Sequence, residues 1–255
     1  MAVTVDHISR GRFGLNLVMG WFSPEMNMFH GQQLEHDERY AFGQEWLDVV
    51  ERLWSEEGSF DVDGKYFHGR DLEAYPKPHQ APRPVLLNAG NSPAGIEFSA
   101  RNVDINFASL ATLDDIKAYT TAIKEKARKE HGREIQVMTY GLVIARDTEK
   151  EAQDFHQKVI DEGDWGAAGN VIKIASSGAS QSFDHAVKEM QTRFIAGWGG
   201  YPIVGTPDQC TEQLAALNEA GMDGMIMGLV DFNEELKYFG SEVMPRMVQA
   251  GIRHD

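Results

Sequence analysis

The side chains placed to do chemistry in this sequence are a carboxamide, a carboxylate, a guanidinium beside a phenol, and a hydroxyl: Asn16, Glu25, Arg39 with Tyr40, and Ser92. Asn16 lies in Gly11-Arg12-Phe13-Gly14-Leu15-Asn16-Leu17-Val18-Met19-Gly20-Trp21. There Phe13, Leu15, Leu17 and Met19 alternate with smaller or polar residues, and Gly20 ends the run. That pattern reads as a buried strand opening into a loop. A carboxamide inside such a strand costs about 1–3 kcal/mol unless its polar atoms are satisfied. Asn16 therefore either bonds neighbouring backbone or lines a ligand cavity at a strand end. Glu25 falls in the next stretch, Phe22 to Gly31, where apolar residues among turn residues indicate a loop that packs on something. It is either a plain loop carboxylate or an acceptor for a ligand's donors.

Arg39 and Tyr40 open a helix. Tyr40, Gly43, Trp46, Leu47, Val50, Leu53 and Trp54 recur at three- and four-residue spacing, which predicts a helix over Asp37–Trp54 with Asp37 as its cap. A cation in the first turn opposes the helix dipole by a few tenths of a kcal/mol. Arg39 therefore needs another partner: Glu35 or Glu38 on one reading, a phosphate or carboxylate on the other. Ser92 follows a second apolar run, Pro84-Val85-Leu86-Leu87-Asn88-Ala89-Gly90. With Pro93 at the first helical position, Ser92 reads as an N-cap. Helix-start amides form a ready anion site, and Ala89, Gly90, Ala94 and Gly95 let a ligand approach the backbone closely.

Further elements must hold these groups together. Strands are expected at about 12–18, 84–88, 104–108, 136–144 and 224–228, with helices between them, which favours a parallel sheet flanked by helices. Residues 163–203 break that rhythm. Glycines around Trp198 and Tyr201 there suit either a mobile lid or a surface insertion. The stretch 183–194 reads as a helix within it. Residues 1–255 are otherwise read as a single domain.

Composition sets bounds. The chain has 255 residues, a net charge of −15 and one cysteine, Cys210. An intramolecular disulfide and a cysteine-cluster metal site are excluded. The charge argues against a nucleic-acid or anionic-membrane surface, no apolar run reaches bilayer-spanning length, and a cytoplasmic location is expected. The nine histidines form no H-x-H or H-E-x-x-H spacing, so no metal is expected. Nucleophile-elbow, phosphate-loop and dinucleotide-fold motifs are missing too.

Taken in order, Gly11 to Trp21, Arg39-Tyr40, Asn88-Ala89-Gly90-Asn91-Ser92-Pro93-Ala94-Gly95 and Val204-Gly205-Thr206-Pro207 resemble the bacterial luciferase-like, flavin-dependent monooxygenases. The most similar branch is that of pyrimidine, dimethylsulfone and alkanesulfonate monooxygenases. The resemblance implies a TIM-type (β/α)8 barrel that uses reduced FMN from a separate flavin reductase. Molecular oxygen would then oxygenate a small organic sulfur or nitrogen compound. It also implies flavin contacts at Asn16, Glu25, Arg39, Tyr40 and Ser92, a lid carrying Trp198 and Tyr201, and a homo-oligomer. About five of the eight barrel strands are expected here, the family's first three strand–helix units having no counterpart in this sequence. A deazaflavin (F420) oxidoreductase and a non-catalytic remnant acting as a binding piece are the alternative expectations.

Overall fold

Helix α1 (Ala2–Ser9) ends at Arg10, whose φ of 54° is left-handed, and Gly11 follows at φ 80°. The chain thereby turns into strand β1 (Gly14–Asn16). These elements open a computed structural model that describes residues 1–20, 22–28, 34–175 and 191–254. Trp21 and residues 183–190 of the expected helix at 183–194 lie outside the described residues. The chain divides into two units: Met1–Phe107 with Ile123–Ile135, and Ala108–Ala122 with Gln136–Asp255.

In the first unit α2 (Ser23–Met28) and α3 (His36–Ser55) follow β1. Next come a hairpin, β2 (Phe60–Asp63) with β3 (His68–Leu72), strand β4 (Val85–Asn88), α4 (Pro93–Asn102) and β5 (Ile105–Phe107). Strands β1, β4 and β5 are parallel neighbours, with Asn16 opposite Leu87 and Asn88 opposite Asn106. Leu15 is partly covered while Gly14 and Asn16 are exposed. The strand is therefore half-buried, not buried, and the desolvation argument for Asn16 lapses: its carboxamide is open to solvent. Helix α3 is capped at Glu35 without a side-chain bond. Asp37, the expected cap, lies in the first turn, 2.7 Å from His36 Nδ1. Leu47 and Trp54 of α3 are buried, as its stripe requires. Glu45 on the same helix pins the hairpin loop, accepting from the amides of Lys65, Tyr66 and Phe67 at 3.1, 2.9 and 2.8 Å.

Helix α5 (Leu113–His131) contributes residues to both units. In the second unit β6 (Gln136–Ala145) is the long central strand. It is paired in parallel with β7 (Tyr201–Gly205), from Gly141↔Tyr201 to Ala145↔Gly205, and with β8 (Gly224–Gly228), from Met138↔Gly224 to Leu142↔Gly228. Around it lie α6 (Glu149–Asp161), α7 (Trp165–Ala175), α8 (Pro207–Glu219), α9 (Phe232–Tyr238), a π turn (Phe239–Val243) and α10 (Met244–Gln249). Capping boxes at Thr148–Glu151 and Thr206–Gln209 fix two of the helix starts. Leu142, Ile144 and Ala152 form a core cluster with Phe155 and Val204.

All five expected strands form. Within the expected insertion at 163–203, Trp165–Ala175 is helical and Tyr201 begins β7, while residues 176–190 lie outside the described residues. Tyr201 therefore belongs to a ladder opposite Gly141 and not to a lid loop. Its alternation was masked by the Gly199-Gly200 pair before it and by Pro202, which the parallel ladder accommodates. Trp198 is 71% exposed, with φ 56°.

Candidate functional site

Arg39, Tyr40 and Asn16 line two hollows where β1 and β4 end, within the first unit: Arg39 lines both, Tyr40 the first and Asn16 the second, while Ser92 lines neither. The scaffold beneath them is a set of buried amides. Asn88 donates from Nδ2 to the Leu17 carbonyl at 2.6 Å, tying the ends of β1 and β4 together. Its Oδ1 accepts from the Gly90 amide at 2.8 Å and from Ser99 Oγ at 3.1 Å. Asn106, buried beside it on β5, donates to Ser99 Oγ at 3.1 Å and to the Asn88 carbonyl at 3.3 Å. Sequence reasoning passed over Asn88, Ser99 and Asn106 as site-shaping residues. The signal was the same as for Asn16, an amide inside an apolar strand, and here the amides are buried and must be satisfied.

The turn they shape brings two stretches of backbone together. A Cβ on Gly95 would lie 2.7 Å from the Gly90 carbonyl carbon and 2.7 Å from Tyr40 Oη. Real side chains do not fit there, so both glycines are required by close approach. Ser92 caps α4 as expected, its Oγ accepting from the Gly95 amide at 3.2 Å. Tyr40 reaches this turn from the first turn of α3, its ring 5.9 Å from that of Phe98 and 5.4 Å from that of His36. Arg39 donates from Nη1 to the Gly20 carbonyl. Its Nε is buried and has no partner.

His36, Arg39, Tyr40, Gly20, Asn88 and Gly90 line a hollow of about 360 Å³. A second hollow, of about 580 Å³, shares Leu17 to Gly20 and Arg39 with it and is walled by Met19, Phe42 and Trp46, with Asn16 among its lining residues. Glu25 lines neither; it sits exposed on α2. Trp198 and Tyr201 belong to the second unit. The first hollow thus presents a guanidinium with an unspent donor and a phenol beside the Asn88–Gly90 turn. In a chain of net charge −15 these make a local anion site.

One other cluster of ionisable groups has ligand spacing among the described residues: Glu97, Glu130 and His131. Lys126 already bonds both carboxylates, at 2.6 and 2.7 Å, so an ammonium stands where a cation would. No helix among the described residues is long and apolar enough to cross a membrane.

A family model described as luciferase-like monooxygenase matches residues 1–224. The chain belongs to the luciferase-like monooxygenases, and with them to the flavin-dependent monooxygenases. An FMNH2-dependent dimethylsulfone monooxygenase of Pseudomonas putida is 31% identical over 247 residues, 95% of this chain and 68% of that protein. The pyrimidine monooxygenase RutA of Acinetobacter baylyi is 30% identical over 255 residues, 97% of this chain and 68% of its own length. The crystal structure of DmoA from Hyphomicrobium sulfonivorans superposes with a TM-score of 0.84 at 21% identity, covering 99% of this chain and 65% of that one. The α/β fold is therefore that of the luciferase-like TIM-barrel monooxygenases, and the chain spans about two thirds of the length of these relatives.

Proposed function

We propose that this chain holds reduced FMN, delivered by a separate flavin reductase, in a monooxygenase that oxygenates a small organic sulfur or nitrogen compound. The buried, unpartnered Nε of Arg39 carries the reading. A buried donor left unmade costs about 1–3 kcal/mol, more for a charged group, and a phosphate at the first hollow would satisfy it. The residues present fit that group. Arg39 and the helix start behind Ser92 bind its oxygens and Tyr40 donates a hydroxyl, while the Gly90–Gly95 close approach, filled by Tyr40 Oη and backbone, sets the turn beside them. Asn16 is exposed at the end of β1 with a free carboxamide to offer a flavin's polar ring edge or ribityl chain. Glu25 is a weaker candidate, because its residue stands in solvent on a six-residue helix.

When bound, the reduced flavin supplies the electrons that activate molecular oxygen; the protein's part is to fix the phosphate, orient the ring and limit water. Fluorescence titration tests the assignment. FMN is expected to bind more tightly than riboflavin, by the phosphate contribution, and F420 is expected not to displace it. Absence of FMN binding, or displacement by F420 at lower concentration, would sink the cofactor assignment. Oxygen uptake with a reductase, FMN and a panel of small sulfones, sulfonates and pyrimidines then assigns the substrate.

A further inference from the structure

We propose that Tyr140 is a substrate-binding residue of the second unit: its phenol donates a hydrogen bond to an acceptor oxygen of the compound that is oxygenated. The inference rests on the monooxygenase reading above and narrows its substrate class to compounds that carry such an oxygen, on sulfur or on a carbonyl carbon. Tyr140 lies on β6, opposite Ile226 of β8. Thr139 and Gly141 beside it are buried, while Tyr140 is partly open and Ile226 is 53% exposed. The ring is held from two sides. A Cβ on Gly200 would overlap Tyr140 Cδ1, and a Cβ on Gly228 would overlap Tyr140 Oη. Gly228 is the last residue of β8. The hydroxyl therefore stands at the C-terminal end of a parallel strand, the end at which such barrels carry their chemistry.

The turn that presses on the ring is itself pinned. Gly197, Trp198 and Gly199 have φ of 145°, 56° and 75°. The Gly199 carbonyl accepts from Ser109 Oγ and from Arg193 Nη2, both at 3.0 Å, and the Gly200 amide donates to the Gly197 carbonyl at 2.9 Å. The ring has little freedom, yet its hydroxyl is unspent. Tyr66, Tyr75 and Tyr238 donate to Glu38, Glu57 and Asp147. Among the described residues Tyr140 Oη has no such partner. The first unit repeats the construction, with Tyr40 Oη set against Gly90 and Gly95. A phenol O–H that is fixed in place and unpaired within the protein is preorganised for an acceptor that a ligand brings. A sulfonyl or carbonyl oxygen is such an acceptor, whereas a thioether sulfur is a weak one.

The test compares the wild-type chain with Tyr140→Phe, which keeps the ring between its glycines and removes only the O–H. Saturation-transfer NMR in the presence of FMN measures the dissociation constants of dimethyl sulfone, uracil and dimethyl sulfide. At least one of the two oxygen-bearing probes should bind the wild type, and bind Tyr140→Phe about fivefold more weakly, the worth of one neutral hydrogen bond. Dimethyl sulfide, which has no acceptor oxygen, should not distinguish the two proteins, and FMN affinity should be the same in both. Failure of both oxygen-bearing probes to bind, equal affinity of the two proteins for them, or an equal loss for the sulfide overturns the role of Tyr140. FMN titration separates that outcome from the broader reading. A wild-type chain that binds FMN keeps its cofactor assignment whichever of these results is found; one that does not bind FMN loses that assignment and this inference with it. Circular dichroism of both proteins separates a binding change from unfolding.

Discussion

The two ends of the β4–β5 pair carry arginines in opposite circumstances. At the N-terminal ends Arg83, only 13% exposed, spends every nitrogen. Nε donates to Glu51 at 2.8 Å, Nη1 to Asp104 at 2.6 Å, and Nη2 to the Asn102 carbonyl at 2.9 Å. Arg133 adds bonds to Asp104 and to the Val103 carbonyl, both at 3.1 Å, and Asp104 also accepts from the Leu86 amide at 2.9 Å. At the C-terminal ends Arg39 spends one nitrogen on Gly20 and leaves Nε buried without a partner. A guanidinium whose donors are all taken by the protein is structure. One with a donor withheld marks a place for something the protein does not supply. The same asymmetry separates stability from chemistry in parallel barrels generally.

Substitutions at the two ends should therefore fail in different ways. The largest effect is expected for Asp104→Ala, which removes the carboxylate shared by Arg83 and Arg133 and leaves Arg83 only Glu51 as a counter-charge. Breaking a buried pair costs about 3–5 kcal/mol; with Asp104 36% exposed, the expected loss is at the lower end, about 3 kcal/mol. A urea titration should show the midpoint falling while the folded fraction keeps its FMN affinity. Next comes Arg39→Met. FMN affinity should fall by about 2 kcal/mol, the value of a hydrogen bond to a charged group, with riboflavin affinity and the urea midpoint little changed. If Arg39→Met were to shift the midpoint as much as Asp104→Ala, the distinction between the two ends would be lost.

The contrast also explains what could be read from sequence. Helix α3, the Ser92 cap and the parallel strands were legible because period and capping are local properties. That Arg39 and Tyr40 share a hollow with the Asn88–Gly90 turn was inferable only through the resemblance, since that turn lies some fifty residues further along the chain. The Asn88–Ser99–Asn106 network was missed because its members sit on three successive elements and meet only through the fold. The Arg83 cluster was missed for the same reason, and so the arginine that serves structure looked no different from the one that serves binding. Asp37 was misread as a cap because Glu35, which carries no cap bond, starts the helix without a sequence signal. Tyr201 was misplaced because a five-residue strand beside two glycines gives too short an alternation to register.

A smaller effect is expected at the turn between the two ends. In Gly95→Ala the new methyl would meet Tyr40 Oη and the Gly90 carbonyl carbon, both at 2.7 Å. Overpacking of this kind costs about 1–3 kcal/mol. Because one obstacle is a hydroxyl and the other is backbone, Tyr40→Phe in the same chain should recover only part of the lost stability in a double-mutant cycle. Full recovery would mean that the backbone approach at Gly90 is not tight, and that the cradle is set by the phenol alone.

The smallest effect tests the structural end by titration. Asp6 on α1 is fully buried, and its carboxylate accepts from the His79 amide at 2.7 Å, the Gln80 amide at 3.0 Å and Gln80 Nε2 at 2.8 Å. Gln80 Nε2 also donates to the Phe13 carbonyl at 2.7 Å, just before β1. Burial alone would raise the carboxyl's pKa, but the bonds from Gln80 and His79 outweigh it and hold it below the ordinary value. A depressed folded pKa means the unfolded chain binds the proton more readily. The contribution is therefore full above the unfolded carboxylate value of about 3.9 and is lost as pH falls through the lower folded value. Asp6→Asn should lower the thermal midpoint at pH 7 and flatten its acid limb, while FMN affinity at pH 7 stays as in the wild type. Loss of FMN affinity in the folded variant would show that α1 and the flavin end are coupled, and would break the division between the two ends of the sheet.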